Sequence, residues 1–235
     1  MLTILIPAAG TGTRFSEAGY ARPKALVDVV GKPMLQRVVE NLRPITAHRV
    51  VLVSRLDPLS LHPLLEKHDI AVHLSQPTEG AIDTILRAKA YIGDEPLLLA
   101  NCDQLVNFDV NDFIASANQA DGAIVTFKSQ RDHHSYVQTD SVGLVYEIAE
   151  KRVISAQAVA GVYFFQNGTD FLWGAEQVLE HNDRYNNEYY VSSALRYMIK
   201  DGHKLVSYNA PSFMLGTPEE LQLFEVAVHL GRNVL

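Results

Sequence analysis

The chain has a single cysteine, Cys102, among 235 residues. One thiol excludes an internal disulfide framework and any Cys-rich zinc site. Cys102 itself reads as a small buried residue rather than a reactive thiol. No apolar run approaches the ~18–20 residues that cross a bilayer. The opening run Leu2–Ile6 is too short, and too soon broken by Pro7, for a secretory signal. The expectation is a cytoplasmic protein with no membrane partner. Long basic runs are missing too: 20 Lys and Arg stand against 27 Asp and Glu, a net charge of −7. Backbone binding of nucleic acid needs a basic stripe, so no nucleic acid is expected as a partner. A small anionic ligand is still compatible, because a pocket screens a few local cations less than bulk water does. The nine histidines show no metal-ligand spacing. His133 and His134 are adjacent rather than four apart, and all nine read as surface residues.

What is present is an alternation of β-branched apolar runs and helical patterns. Leu2–Ile6, Arg49–Ser54, Ile70–Leu74 and Leu97–Ala100 read as strands. Met34–Leu42 and Gly80–Ile92 read as helices, the latter on a 3.6-residue period of Ile82, Ile85, Leu86, Ala88 and Ile92. Such alternation implies right-handed βαβ units and a mostly parallel sheet covered on both faces. Beyond residue 120 the pattern changes. Ala123–Phe127, Gly143–Ile148 and Val159–Phe165 read as strands joined by polar turns, which favours antiparallel pairing. Helices follow at Asp170–Glu180 and Glu188–Lys200. A last helix opens at Thr217, with Pro218 at its first position and Glu220 closing a capping box. Hydrophobic content of 47% and the chain length suit one α/β domain. The predicted architecture is a single domain over 1–235, a mostly parallel central sheet flanked by helices with a mixed or antiparallel insertion in the second half.

The segment directly after the first strand carries the chemistry. In open parallel sheets, ligands sit beyond the carboxyl ends of the strands. There Gly10 and Gly12 let the backbone turn sharply and bring its amides close to a ligand. The spacing is not the dinucleotide fingerprint, whose third glycine would fall at Phe15, and no Gly-Lys-Ser/Thr follows to make a P-loop.

The combination of Ala9, Gly10, Gly12, Arg14, Pro23 and Lys24 with Gly31-Lys32-Pro33-Met34 resembles the opening of the nucleotidyltransferases that join NTPs to sugar phosphates and related small phosphates. The resemblance continues in "QPTEGAIDTILRA" (76–88), "LLLANCDQLV" (97–106), "EKRVISAQAVAGVYFF" (150–165) and "NNEYYVSSAL" (186–195), and so covers most of the chain. It implies a Rossmann-like (GT-A-like) fold with an NTP-binding half over 1–120 and an acceptor-binding half over 121–235. It further implies that Ala8, Ala9, Gly10, Thr11, Gly12 and Thr13 hold the triphosphate, and that Gln76 and the backbone at Gly80 read the base. By the same likeness, Asp103 holds magnesium, and Lys151, Gly161 and Glu188 meet the acceptor. Two departures stand out. Ala81-Ile82 replaces the usual Thr-Ala, and Met214 stands where many relatives carry a second metal-binding Asp. A thioether is a poor ligand for Mg2+, which leaves Asp103 as the main protein ligand or calls on Glu188. Tyr189 and Tyr190, beside Glu188, are the aromatics to watch.

The reaction implied is attack by an acceptor phosphate oxygen on the α-phosphorus of an NTP, with pyrophosphate leaving. Catalysis then consists mostly of positioning and charge neutralisation. Lys24 would sit at the α-phosphate and Arg14, with its planar fork, at the leaving phosphates. The nucleophile is already anionic, so no general base is required. Likeness to compact members that feed surface-polysaccharide or cell-envelope synthesis puts CTP slightly ahead of UTP, GTP and dTTP. A homodimer is compatible with this reading. Two other readings stand beside it. A nucleotide-sugar-dependent glycosyltransferase would need an Asp-x-Asp metal motif, which "CDQLV" lacks. A nucleotide-sensing domain without catalysis is favoured only by Met214.

Overall fold

A short apolar run becomes the central strand because it is covered on both sides. The computed structural model describes residues 1–231. In chain order the first half contains β1 (Leu2–Ala8), α1 (Thr13–Glu17), a small hairpin of β2 (Asp28–Val29) and β3 (Lys32–Pro33), α2 (Met34–Asn41), β4 (His48–Ser54), α3 (Pro58–Leu61), β5 (Ile70–His73), α4 (Ala81–Leu86), β6 (Leu97–Ala100), β7 (Gln104–Val106) and α5 (Val110–Ser116). The second half adds β8 (Gly122–Lys128), β9 (Tyr136–Thr139), β10 (Val145–Ala149), β11 (Gln157–Phe165), α6 (Gly168–Glu180), α7 (Val191–Lys200), β12 (Leu205–Asn209), β13 (Ser212–Met214) and α8 (Pro218–His229).

β1 pairs in parallel with β4 on one side and β6 on the other, and β4 pairs in parallel with β5. Side chains alternate across the sheet. Ile4 and Ile6 therefore enter one core with Met34, Phe113 and Phe224, while Leu5 enters the other with Ile85, Phe171 and Leu195. Two covered faces explain why β1, apart from Thr3, is apolar rather than alternating.

The halves join where β6 meets β11 in antiparallel register, Val162 opposite Ala100. One edge of β11 carries β6 along its later residues and β9 at Ala158; the other carries β8, with a register shift between Val159 and Tyr163. Antiparallel pairing brings the first residues of β11 that pair with β6 to the carboxyl end of β6. That places Asn101 and Asp103 beside Gly161, and the Asn101 N–H donates to the Gly161 carbonyl at 2.8 Å.

The sequence expectations need two corrections. The segment expected to be helical over 80–92 is α4 followed by a 3₁₀ turn at Lys89–Tyr91; the apolar period continues through the tighter turn, so Ala88 and Ile92 are still buried. The segment expected to be helical from Glu188 starts only at Val191, because Tyr189 is drawn into a bridge with Gly80 and Glu188 into one with Tyr185. The second half is mixed, within the expectation: β12 joins β8 in parallel while β11 runs antiparallel to β6 and β8. The last helix begins as expected, with the Thr217–Glu220 capping box formed and Pro218 at its first turn. Among the described residues, no helix is long and apolar enough to cross a membrane.

Candidate active site

The turn leaving β1 is shaped by its packing on Lys24. Gly12 precedes α1 at φ 65°, and a Cβ there would lie 2.7 Å from the Cβ of Lys24. Glycine is required twice over, by the left-handed backbone and by the approach. Phe15, in α1, is buried against the core and meets Tyr20 edge-on at 5.2 Å. Its burial, about 1.5–3 kcal/mol, ties the helix down behind the turn. At Gly10 a Cβ would meet nothing within 4 Å, so the backbone there borders open space. Ala8, Gly10, Thr11 and Lys24 line a cavity of about 210 Å³, and Ala9, Gly10 and Thr11 line a second of about 340 Å³ with Thr78, Gly80, Cys102 and Asp103. The exposed Thr13 hydroxyl is 2.8 Å from that of Thr11.

Pro23 introduces the 3₁₀ turn that starts at Lys24, and the lysine reaches across the sheet end to Asp103. The Lys24 ammonium donates to Asp103 Oδ2, with side chains 20% and 24% exposed. Burial alone would lower the Lys24 pKa; the Asp103 charge and hydrogen bond outweigh it and raise the pKa above its ordinary value. Lys24 is therefore a fixed cation rather than a base. Asp103 follows β6 directly, and its carbonyl accepts from the Leu215 N–H at 2.7 Å. Beside it, β13 pairs Met214 with Gln104, so the thioether does line the same cavity as Asp103. Burial, with the Asp103 charge, pushes the Cys102 thiol up to about 11, which fits its reading as unreactive.

Lys151, Gly161 and Glu188 line a cavity of about 290 Å³ that also takes in Arg14 and Asp103. Lys151, at φ 47°, donates to the Tyr190 hydroxyl at 2.6 Å and lies 4.5 and 5.2 Å from the ring centres of Tyr190 and Tyr185. Tyr190 in turn donates to Glu188 Oε2 at 2.7 Å. Burial and the Glu188 hydrogen bond hold the Tyr190 phenol well above its ordinary pKa, so it stays a donor. Gly161, at φ 80°, is needed because a Cβ would fall 2.4 Å from the Asn101 side chain. Glu150 is not paired with its neighbour Lys151; it accepts from the hydroxyls of Ser135 and Ser192.

Arg14, Lys24, Asp103, Lys151, Gly161 and Glu188 are thus gathered around adjoining cavities. Gln76 is not: it is exposed and outside the lining of those cavities, where Pro77 and Thr78 stand instead. Gly80 has a structural duty as well, since a Cβ would lie 2.6 Å from both the N and O of Tyr189. That contact clamps the two halves, with Tyr189 N–H donating to Glu79 and Ile82 N–H to Tyr189. Glu150, Ser135 and Ser192 are not among the expected site residues. Glu150 and Ser192 stand inside the quoted segments 150–165 and 186–195, but their contact with each other and with Ser135 is made only by the fold. The reading of every histidine as a surface residue is corrected at His134, which is only 8% exposed; packing by Phe127 and Tyr136 overrides its polarity.

Known proteins resemble this arrangement. The chain is 25% identical over 252 aligned residues to the bifunctional protein GlmU of Brevibacillus brevis, covering 98% of this chain and 52% of that one. The chain therefore spans about half the length of the curated relatives it matches. A nucleoside-diphosphate-sugar pyrophosphorylase from Vibrio cholerae superposes with a TM-score of 0.80 at 21% identity, covering 95% of this chain and 99% of that one. A UTP-bound UGPase from Acinetobacter baumannii gives 0.76 at 21%, covering 99% and 95%. At such identities the structural likeness establishes the fold, a single α/β domain around a mixed sheet. Family membership comes from the sequence profile of the MobA-like NTP transferase domain, which matches residues 4–162. With the glycine turn, Lys24 and Asp103 all inside that stretch, the chain belongs to the MobA-like NTP transferase family.

Proposed function

We propose that the protein is a nucleotidyltransferase that moves NMP from an NTP to a sugar 1-phosphate or another small phosphorylated acceptor and releases pyrophosphate. The observation that carries this reading is the Lys24–Asp103 pair, set against the glycine turn where the cavities adjoin. An acceptor phosphate oxygen bonds to the α-phosphorus, the bond to the bridging oxygen breaks, and its electron pair leaves with pyrophosphate. The amides of residues 10–13 orient the triphosphate. Lys24, charged throughout the neutral range, neutralises the α-phosphoryl oxygens as they gain charge. Arg14, which lines the adjoining cavity with Asp103, serves the leaving phosphates. Lys151, held by Tyr190, binds the acceptor.

Asp103 fits a magnesium ligand. Its Oδ2 is engaged by Lys24, while Oδ1 has no hydrogen bond among the described residues. When bound, Mg2+ would supply charge neutralisation on the phosphates, keeping water in the positions that protein does not fill. Among bases the reading keeps CTP slightly ahead of UTP, and it assigns the product to surface-polysaccharide or cell-envelope precursors. Pyrophosphate release from the four NTPs, each with a panel of sugar 1-phosphates and non-sugar phosphates, tests it. Lys24→Ala should lower the rate by about 10²–10³-fold. Tight NTP binding without turnover with any acceptor would instead favour a sensing domain, the reading that Met214 keeps open.

A further inference from the structure

The loop between β8 and β9 lies against the first turn of α8, outside the groups used above. His133 Nε2 stands 3.4 Å from Glu220 Oε1, and the rings of His133 and His134 are 4.2 Å apart. One ligand atom from each of His133, His134 and Glu220 lies within 4.8 Å of the other two. Glu220 is held for this role by the cap it closes. Its Oε2 accepts from the N–H groups of Gly216 and Thr217 at 3.0 and 3.1 Å, which leaves Oε1 turned toward the imidazoles. Outer contacts of this kind fix the orientation of metal-binding side chains. His134 is buried, edge-on to Phe127 at 5.2 Å, and its ring makes no hydrogen bond among the described residues. All three side chains line the cavity shared with Asp103 and Lys151.

We propose that His133, His134 and Glu220 form a three-ligand site for a divalent transition metal such as Zn2+, separate from Asp103, with its remaining coordination positions facing the acceptor cavity. Two imidazoles and one carboxylate suit zinc and its neighbours rather than Mg2+, which takes oxygen ligands. Ligands about 2.0–2.1 Å from a tetrahedral ion stand ~3.3 Å apart, so the triad must contract from its present spread. His133, whose side chain is 46% exposed, has the freedom to close it. The positive charge of Arg131 near His134 opposes a cation here, and the Glu220 carboxylate offsets it.

The test is a titration of the chelator-treated protein with Co2+ alone, followed by its visible absorption, since Zn2+ is spectroscopically silent. The expected result is one saturable equivalent, displaced by Zn2+ and not by excess Mg2+. His133→Ala, at an exposed position, should weaken Co2+ by more than the roughly 10–100-fold typical of losing an outer-shell partner, with an unchanged circular dichroism spectrum. Asp103→Asn should leave the titration as it is. Absence of binding to the native protein, wild-type binding by His133→Ala, or loss of the signal in Asp103→Asn would each overturn the proposal. None of these readouts depends on turnover, so failure here is separable from failure of the proposed activity.

Discussion

Replacing Gly10 by alanine separates a ligand-holding turn from a plain connector. Gly10 is not among the glycines at positive φ, and a Cβ there would meet no protein atom within 4 Å. Folded-state strain is absent, and removing a glycine from the unfolded chain is worth ~0.4–1 kcal/mol in favour of folding. The melting temperature should therefore hold or rise by a few degrees, at about 2–4 °C per kcal/mol for a chain of this size. A triphosphate seated on the amides would meet the new methyl. Losing one charge-assisted hydrogen bond of about 1.5–3 kcal/mol corresponds to an increase of about 10- to 150-fold in the KM or Kd for NTP. Gly12→Ala is the companion variant. It forces an L side chain to φ 65° at about 1–2 kcal/mol and drives a methyl into Lys24, so both stability and kcat should fall. Initial-rate kinetics and thermal melts on the two variants give the answer together. A Gly10→Ala protein with unaltered NTP affinity would refute the reasoning, because a turn that touches nothing does not need its glycine there.

Three further outcomes are expected. Tyr190→Phe removes the hydroxyl that joins Lys151 to Glu188; the acceptor KM should rise roughly tenfold, within the ~1.5–3 kcal/mol of a charged hydrogen bond, while the NTP KM stays put, and equal effects on both would contradict the assignment. Met214→Asp sets a second carboxylate beside Asp103, so melts should show destabilisation in chelator and recovery with Mg2+, together with a lower Mg2+ half-saturation in the rate; no response to Mg2+ would count against this position. The Lys24 pKa is raised above its ordinary 10.5, so its ion pair is fully present below that value and is lost only as pH climbs through the higher folded one. The rate should accordingly show no lysine-type ionisation between neutral pH and about 10, and an inflection near pH 8 that disappears in Lys24→Arg would overturn the description of Lys24 as a fixed cation.

The elements legible in the sequence are those whose signal is local. Thr217-Pro218-x-Glu220 specifies its own helix start through hydrogen bonds spanning three residues, and β6, apolar on both faces, matches the expected Leu97–Ala100. What was not legible depends on partners distant in the chain. Tyr189 is pulled out of helical geometry by the backbone of Gly80, more than a hundred residues earlier, and no helical period can register that. β12 shows no alternation, its only two aliphatic residues, Leu205 and Val206, being adjacent and followed by Ser207, Tyr208 and Asn209, and it is a strand because β8 offers an open edge. The candidate site divides the same way. Gly10, Gly12, Lys24 and Asp103 belong to motifs, whereas the His133–His134–Glu220 group and the contacts of Glu150 with Ser135 and Ser192 are assembled from loops and helix starts that only the fold brings together.

In the proposed reaction the turn after β1 and the Lys24 ammonium together hold a nucleoside triphosphate. A crystal structure of the protein with CTP, or a non-hydrolysable analogue, and Mg2+ tests it most directly. Phosphate oxygens should lie within hydrogen-bond reach of the amides of residues 10–13, with Lys24 Nζ at the α-phosphate. Nucleotide bound elsewhere, with Lys24 still paired to Asp103 and the turn bare, would contradict it.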